Sequence, residues 1–361
     1  MSTSVVEFEE SKFVSGSNPP QPAVNKNGAP PEAVLTEILL GSLASQSLYV
    51  AAKLGIADLL ADGPKRVDEL ARAADAHAPS LYRVLRALAS LGVFAEQDDR
   101  VFALTPAAEA LRSDIPNSLR DVAIFWGEDW HWEVWGKILY SVRTGKSAWA
   151  QLHGEQVFEY FEKNKAAGEI FNRAMSSFST VATRAVAEAY DFSGIDTLID
   201  IAGGHGRLLA GVLEANPSMR GVLFDLPHVI EGAVKTNSET SVRDRLEFAT
   251  GDFFASVPAG GDAYIMKHII HDWDDERALT ILRNIKQAMK PGGRVLVVEA
   301  VIADGNGQDF GKLLDIEMLV SPGGKERTAK EYEELFERAG LRMTRIVPTK
   351  SPYSVIEAVA A

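Results

Sequence analysis

The sequence predicts an α/β protein: a doubly wound parallel sheet in the C-terminal half, preceded by a mostly helical domain. Three observations carry this reading. From about Gly194, short apolar runs alternate with helical segments, the rhythm of parallel strands joined by crossover helices. The runs at Thr197–Asp200, Val222–Asp225, Leu246–Ala249, Ala263–Met266 and Val295–Val298 are apolar almost throughout, as strands covered on both faces require. Residues 33–111 instead carry Leu39, Leu40, Leu43, Leu48 and Leu54 at mixed three- and four-residue spacings, the pattern of a buried helix face.

The bulk numbers narrow the function classes. A chain of 361 residues favours two domains. A formal charge of -13 argues against nucleic acid as the main partner, because phosphate binding relies on lysine and arginine. With no cysteine there is no disulfide scaffold, no cysteine zinc site and no thiol nucleophile. No run reaches the ~18 uninterrupted apolar residues of a membrane span, and the acidic N-terminus does not read as a secretory signal. We expect no membrane partner and a cytoplasmic location.

Taken in order, residues 1–32 read as a disordered lead-in rich in Pro, Asn and Gly. Over 33–111, three helices are followed by a hairpin, Val93–Glu96 and Val101–Leu104 around a polar turn, which is a winged-helix pattern. Arg83 and Arg86 could mark a recognition helix. The acidic total favours a protein–protein module with these arginines in surface ion pairs. Residues 112–190 read as linker helices, with four of the six tryptophans inside Trp126–Trp135. Such density usually means packing; the alternative is an aromatic pocket wall, and His131 reads as a packed residue. Residues 191–361 form the sheet domain.

Ligands of parallel sheets bind at the carboxyl ends of the strands, so the strand ends carry the functional reading. After the first strand comes Asp200-Ile201-Ala202-Gly203-Gly204-His205-Gly206, a glycine turn opening a helix. The third glycine of a dinucleotide fingerprint would fall at Leu209, which counts against NAD. Asp225 ends the second strand, where a carboxylate can accept from ribose hydroxyls. Asp252, followed by Phe253 and Phe254, could bind an adenine amine beneath an aromatic cover. The fourth strand runs into Lys267-His268-Ile269-Ile270-His271-Asp272-Trp273-Asp274-Asp275. The spacing of His268 and His271 suits no helical metal site, and we expect no metal. A histidine here can act as a base near neutrality, with Glu299 and Glu326 as candidate orienting carboxylates.

In family order and at family-like spacing, these segments resemble the class I S-adenosylmethionine-dependent methyltransferases. Within that class they resemble the small-molecule O-methyltransferases of the caffeic-acid/hydroxyindole type. The matching text includes the glycine turn, Phe224–Ile230, Gly251–Phe254, Lys267–Asp274, Pro291-Gly292-Gly293 and Gly323–Thr328, and the resemblance covers nearly the whole chain. It implies a Rossmann-like methyltransferase sheet and a homodimer formed through the N-terminal winged-helix domain. It also implies S-adenosylmethionine as cofactor, bound by Gly203, Asp225, Asp252, Phe253 and Lys267, with S-adenosylhomocysteine as product. By the same resemblance His271 is the general base flanked by Glu299 and Glu326, His268 is structural, and Phe171 and Met175 line the acceptor pocket. Trp126 and Trp130 are further candidates for that wall, and an aromatic-lined pocket suits a small aromatic acceptor such as a phenol. Ala202 stands where many members have glycine, a change tolerable if its backbone is ordinary. The alternatives are N- or C-methyl transfer or a non-methylating homologue, then an NAD-dependent oxidoreductase or a winged-helix regulator.

Overall fold

The computed structural model describes residues 30–361. All but the last three residues of the expected lead-in lie outside the described residues, and Pro31 already opens a helix. The chain divides into two compact units. One comprises residues 30–137 and 157–178, the other residues 138–156 and 179–361, so the helices read as a linker are shared between them.

In the first unit, helices Pro31–Lys53, Val67–Ala73 and Ala78–Ser90 are joined by three short strands, β1 (Lys65–Arg66), β2 (Phe94–Gln97) and β3 (Val101–Leu104). The strands form an antiparallel sheet in the order β1-β3-β2, which includes the expected hairpin. Leu70, Leu85, Leu88, Phe94 and Phe102 fill the core beneath it. Two expectations fail here. Of the leucine face of the first helix, Leu48 and Leu54 pack against this core as expected, but among the described residues nothing buries its N-terminal part: Leu39 is 75% and Leu43 64% exposed, and Leu35, Ile38 and Leu40 are exposed with them. Helical periodicity marks a face that seeks cover without saying whether the same chain supplies it. The same helix is long and apolar enough by length and composition to cross a membrane. Arg86 and Arg100 lie over the ring of Tyr82 at 5.2 and 4.6 Å, so Arg86 makes a cation–π contact where an ion pair was expected.

The second unit is built on a seven-stranded sheet of β4 (Thr197–Ile201), β5 (Arg220–Asp225), β6 (Leu246–Thr250), β7 (Ala263–Lys267), β8 (Arg294–Glu299), β11 (Leu341–Pro348) and β12 (Ser354–Ala360). The short strands β9 (Val301–Ile302) and β10 (Arg327–Thr328) pair separately in parallel. The sheet order is β11-β12-β8-β7-β4-β5-β6. Strands β4 to β8 are mutually parallel; β12 lies antiparallel beside β8, and β11, antiparallel to β12, closes the edge in the same direction as the parallel set. Buried side chains such as Leu198, Leu223, Ile265 and Val298 pack in one cluster, and Ile199, Phe224, Met266 and Val297 in another, following the two-residue alternation of strand side chains. The chain runs outward from β4 through β5 to β6, then returns to β7. That reversal opens a crevice at the carboxyl ends of β4 and β7, beside which β5, β6 and β8 also end.

Candidate active site

The turn after β4 is held in a left-handed backbone. Ala202, Gly204 and Gly206 have φ of 54°, 60° and 77°. The Ala202 backbone is therefore not ordinary, and the basis on which alanine was expected to be tolerated does not hold. Alanine carries a strain that glycine would not, fixed in place by the Ala202 N–H donating to the Phe224 carbonyl over 2.8 Å. At Gly203 a Cβ would collide with the Asp200 carboxyl and the Leu223 side chain. The missing fingerprint glycine is explained as well: Leu209 is fully buried, and the close approach of helix and strand occurs at Gly221 of β5, where a Cβ would meet Leu209 and Leu213.

Around this turn the strand ends assemble a polar rim. Asp225 accepts from the Gly204 N–H (2.9 Å) and the Leu226 N–H (2.7 Å), and burial raises its proton affinity against those bonds. Asp252 accepts from the Phe254 N–H at 2.8 Å. Phe253, Phe254 and Trp273 form an edge-on aromatic group, with centroids 4.7 to 6.1 Å apart. Asp200, 1% exposed, was not picked out by sequence reasoning, although a charged residue inside an apolar strand is the signal that could have found it. Burial lifts Asp200 to about 7, with Lys267 pulling it back, and burial lowers Lys267 to about 8, with Asp200 opposing. Asp200 Oδ2 is buried without a hydrogen-bond partner among the described residues. A glycine cradle, an orphaned carboxylate oxygen, two strand-end carboxylates and an aromatic group fit a cationic nucleoside cofactor.

The second half of the site surrounds His271, which is 6% exposed. Its Nδ1 lies 2.5 Å from Glu326 Oε1. Glu299 Oε1 accepts from the backbone N–H groups of Ile269 and His271, both at 3.1 Å, and its Oε2 accepts from the Tyr332 hydroxyl at 2.5 Å. Glu299 therefore holds the backbone under His271, and Glu326 alone of the two makes a hydrogen bond to the ring. The loop carrying Glu326 is locked to the same turn: the Lys325 N–H donates to the His271 carbonyl (2.9 Å), and a Cβ on Gly324 would overlap that carbonyl. Arg327, fully buried, donates to the carbonyls of Ile270 (3.3 Å) and Trp273 (3.2 Å) and to Asp275 (2.9 Å). Burial pulls the proton affinity of His271 down, but Glu326, Asp272 and Glu299 override it and push it up to about 10. His271 is thus the proton-holding member of its pair with Glu326, its second proton being taken or lost at Nε2.

His268 is a different kind of residue. It sits at φ 57°, its ring stacks on His271 (5.4 Å) and tilts against Tyr353 (4.2 Å), and burial with two neighbouring cations drives it well below the usual histidine range. It is a neutral packing element. The residues expected to line an acceptor pocket lie in the first unit. There Phe171 stacks on Phe161 at 4.6 Å, Trp130 lies 5.7 Å from both Phe125 and Phe161, and Trp126 lies 5.9 Å from Phe178. Met175 is half-buried and His131 packs against Phe125 at 4.6 Å. Among the described residues no group of three or more His, Asp or Glu is placed to hold a metal.

A left-handed glycine turn, ordered carboxylates on successive strand ends and a carboxylate-held imidazole define the class of S-adenosylmethionine-dependent methyltransferases. The chain belongs to the O-methyltransferase family: the family's O-methyltransferase domain matches residues 135–342, and its dimerisation domain matches residues 36–114. It is 46% identical to phenazine O-methyltransferase PhzM of Lysobacter antibioticus, over 92% of this chain and 98% of that protein. It is also 37% identical to an 8-amino-8-demethylriboflavin N,N-dimethyltransferase of Streptomyces davaonensis, over 86% and 90%. Among solved structures it is similar to LaPhzM, with TM-score 0.87, 45% identity, and coverage of 92% of this chain and 100% of that one. It is likewise similar to NcsB1 of neocarzinostatin biosynthesis in complex with S-adenosylmethionine and 2-hydroxy-5-methyl naphthoic acid, with TM-score 0.76, 32% identity, and coverage of 88% and 96%.

Proposed function

We propose that this enzyme transfers a methyl group from S-adenosylmethionine to a phenolic hydroxyl of a small aromatic acceptor, with His271 as general base. The observation that carries this reading is the 2.5 Å contact of His271 Nδ1 with Glu326, on a backbone pinned by Glu299. A carboxylate on Nδ1 fixes the tautomer with its lone pair on Nε2 and supports the charge that develops there as a proton arrives. Gly203, Asp225, Asp252, Phe253 and Lys267 would hold the cofactor, which when bound supplies an activated methyl on a sulfonium. The proton affinity of His271 falls once positive charge is bound on the same sheet edge. His271 then takes the hydroxyl proton, and the oxygen attacks in line. Orientation of the pair supplies much of the rate, up to ~7–11 kcal/mol in favourable cases.

Trp126, Trp130, Phe171 and Met175 are the residues proposed to contact the acceptor, whose class is supported by the aromatic compounds named for several relatives. A second reading, transfer to nitrogen, is favoured by the N,N-dimethyltransferase among the relatives. A base of this strength argues for a hydroxyl, since a neutral amine attacks before it loses its proton. The exposed apolar face of helix Pro31–Lys53, within the segment matched by the dimerisation domain, supports a homodimer in which a second copy covers it.

The test is a mass-spectrometric screen of phenols and matched anilines for the gain of one methyl. Methylated phenols, with the anilines untouched, are expected. Methylation confined to the anilines would overturn the choice of oxygen.

A further inference from the structure

Exposure within the catalytic cluster rises in one direction. The Glu326 side chain is fully buried and that of His271 is 7% exposed, whereas that of Asp272 is 16% exposed. Asp272 Oδ1 lies 3.6 Å from His271 Nε2, the nitrogen not engaged by Glu326. Asp272 also lines a cavity of about 400 Å³, with Tyr140, Lys146, Gln151, Trp273 and Arg277 among its other walls. On the opposite side of the ring Glu326 leads nowhere, because its second oxygen is buried and has no hydrogen-bond partner among the described residues. We propose that Asp272 is the relay by which the proton collected at His271 Nε2 reaches solvent in this cavity.

The proposal rests on His271 being the base. In each turnover the acceptor O–H bond breaks, an oxygen electron pair forms the new O–CH₃ bond, and the S–CH₃ bond breaks with its pair left on sulfur as a neutral thioether. One proton is released. It passes from the hydroxyl to His271 Nε2, then to the Asp272 carboxylate, then to water in the cavity, which restores the neutral imidazole. No reagent beyond water is required. The 3.6 Å gap exceeds a direct hydrogen bond and is closed by a small rotation of the carboxyl or by one water. Burial raises Asp272 to about 7, with His271 opposing and Glu299 and Glu326 reinforcing. The carboxyl can therefore load and unload near neutral pH. The charged groups that line its cavity are Lys146, Asp274 and Arg277.

Stopped-flow with a pH indicator, run beside quench-flow on an accepted phenol, separates the proton from the methyl. In the wild type the proton is expected in solution together with methyl transfer in the first turnover. In Asp272→Asn methyl transfer should slow only as far as a weaker His271 base requires, since the carboxylate also raises that base, while proton appearance lags behind methyl transfer by about tenfold or more and coincides with product release. Asp272→Glu should restore the early proton. Two results would overturn the relay: protons appearing together with methyl transfer in Asp272→Asn as they do in the wild type, or a lag that Asp272→Glu leaves in place. If Asp272→Asn does not fold, the wild type decides alone, since a proton that appears only with product release leaves nothing to relay. Failure of the base reading is distinct, because His271→Ala would then keep its first-turnover rate.

Discussion

Replacing Glu326 with glutamine keeps the side chain's size and its reach to His271 but deletes the charge that acts most strongly to raise the ring's proton affinity. The contact is 2.5 Å between Nδ1 and Oε1. With the charge centres ~4 Å apart and an effective dielectric of ~20, the lost attraction is ~4 kcal/mol, or ~3 pH units at 1.36 kcal/mol per unit. That is the size of the rise from 6.5 to about 10 to which Glu326, Asp272 and Glu299 contribute against burial. The sign follows from the base role. Nε2 must be unprotonated to act, so activity is lost as pH falls through the pKa of His271, and a lower pKa moves that loss to lower pH. The acid limb of kcat/KM, measured with cofactor saturating, should shift down by ~2–3 units in Glu326→Gln. The plateau should fall ~10–100-fold because the base is weaker. Affinity for S-adenosylhomocysteine, measured by calorimetry, should stay within about twofold if Glu326 acts only on the base. An acid limb that stays in place or moves upward would refute the reasoning.

Three further outcomes are expected. Asp200→Asn should raise the melting temperature at pH 8: burial lifts the Asp200 pKa from 3.8 to about 7, so the cost of ionising it in the fold builds between those two values and is full above about 7. The gain, ~1–3 kcal/mol after the loss of its attraction to Lys267, should vanish near pH 4, and equal gains at both pH values would contradict it. Gly324→Ala drives a methyl into the backbone at His271 and Asp272, and should cost ~1–3 kcal/mol in denaturant unfolding with turnover reduced; a neutral variant would mean that the two loops move freely. If a second copy covers the exposed apolar face as proposed, the wild type should run as a dimer in light scattering at micromolar concentration and Leu39→Glu with Leu43→Glu as a monomer, because both side chains lie on that face.

The parallel core was legible because each of its strands, β4 to β8, is an apolar run between helices, and their expected positions agree with the structure to within two residues at either end. The last two strands, β11 at the edge and the antiparallel β12 inside it, went unread. Leu341–Pro348 mixes arginines and a threonine with apolar residues, as an edge strand open to solvent on one side can. Glu326 stood out as a carboxylate after a glycine turn, but spacing alone could not join it to His271, since the loop from Ser321 to Arg327 is held to the His271 turn by backbone bonds and a buried arginine that leave no spacing signal. Arg327 and Tyr332 were passed over for the same reason, since each acts through contacts distant in sequence, and Asp272 reads from the sequence only as a residue that shapes the turn. The first helix shows the converse. Its leucines announced a face in need of cover, and periodicity alone does not say what supplies it.

The central claim is that His271 Nε2 takes the acceptor proton. The most direct measurement is the single-turnover rate of His271→Ala with a verified phenolic acceptor and saturating S-adenosylmethionine. Methyl transfer should fall by ~10²–10⁴-fold, while binding of S-adenosylhomocysteine, measured by calorimetry, changes by less than about twofold. A first-turnover rate near that of the wild type would contradict the account.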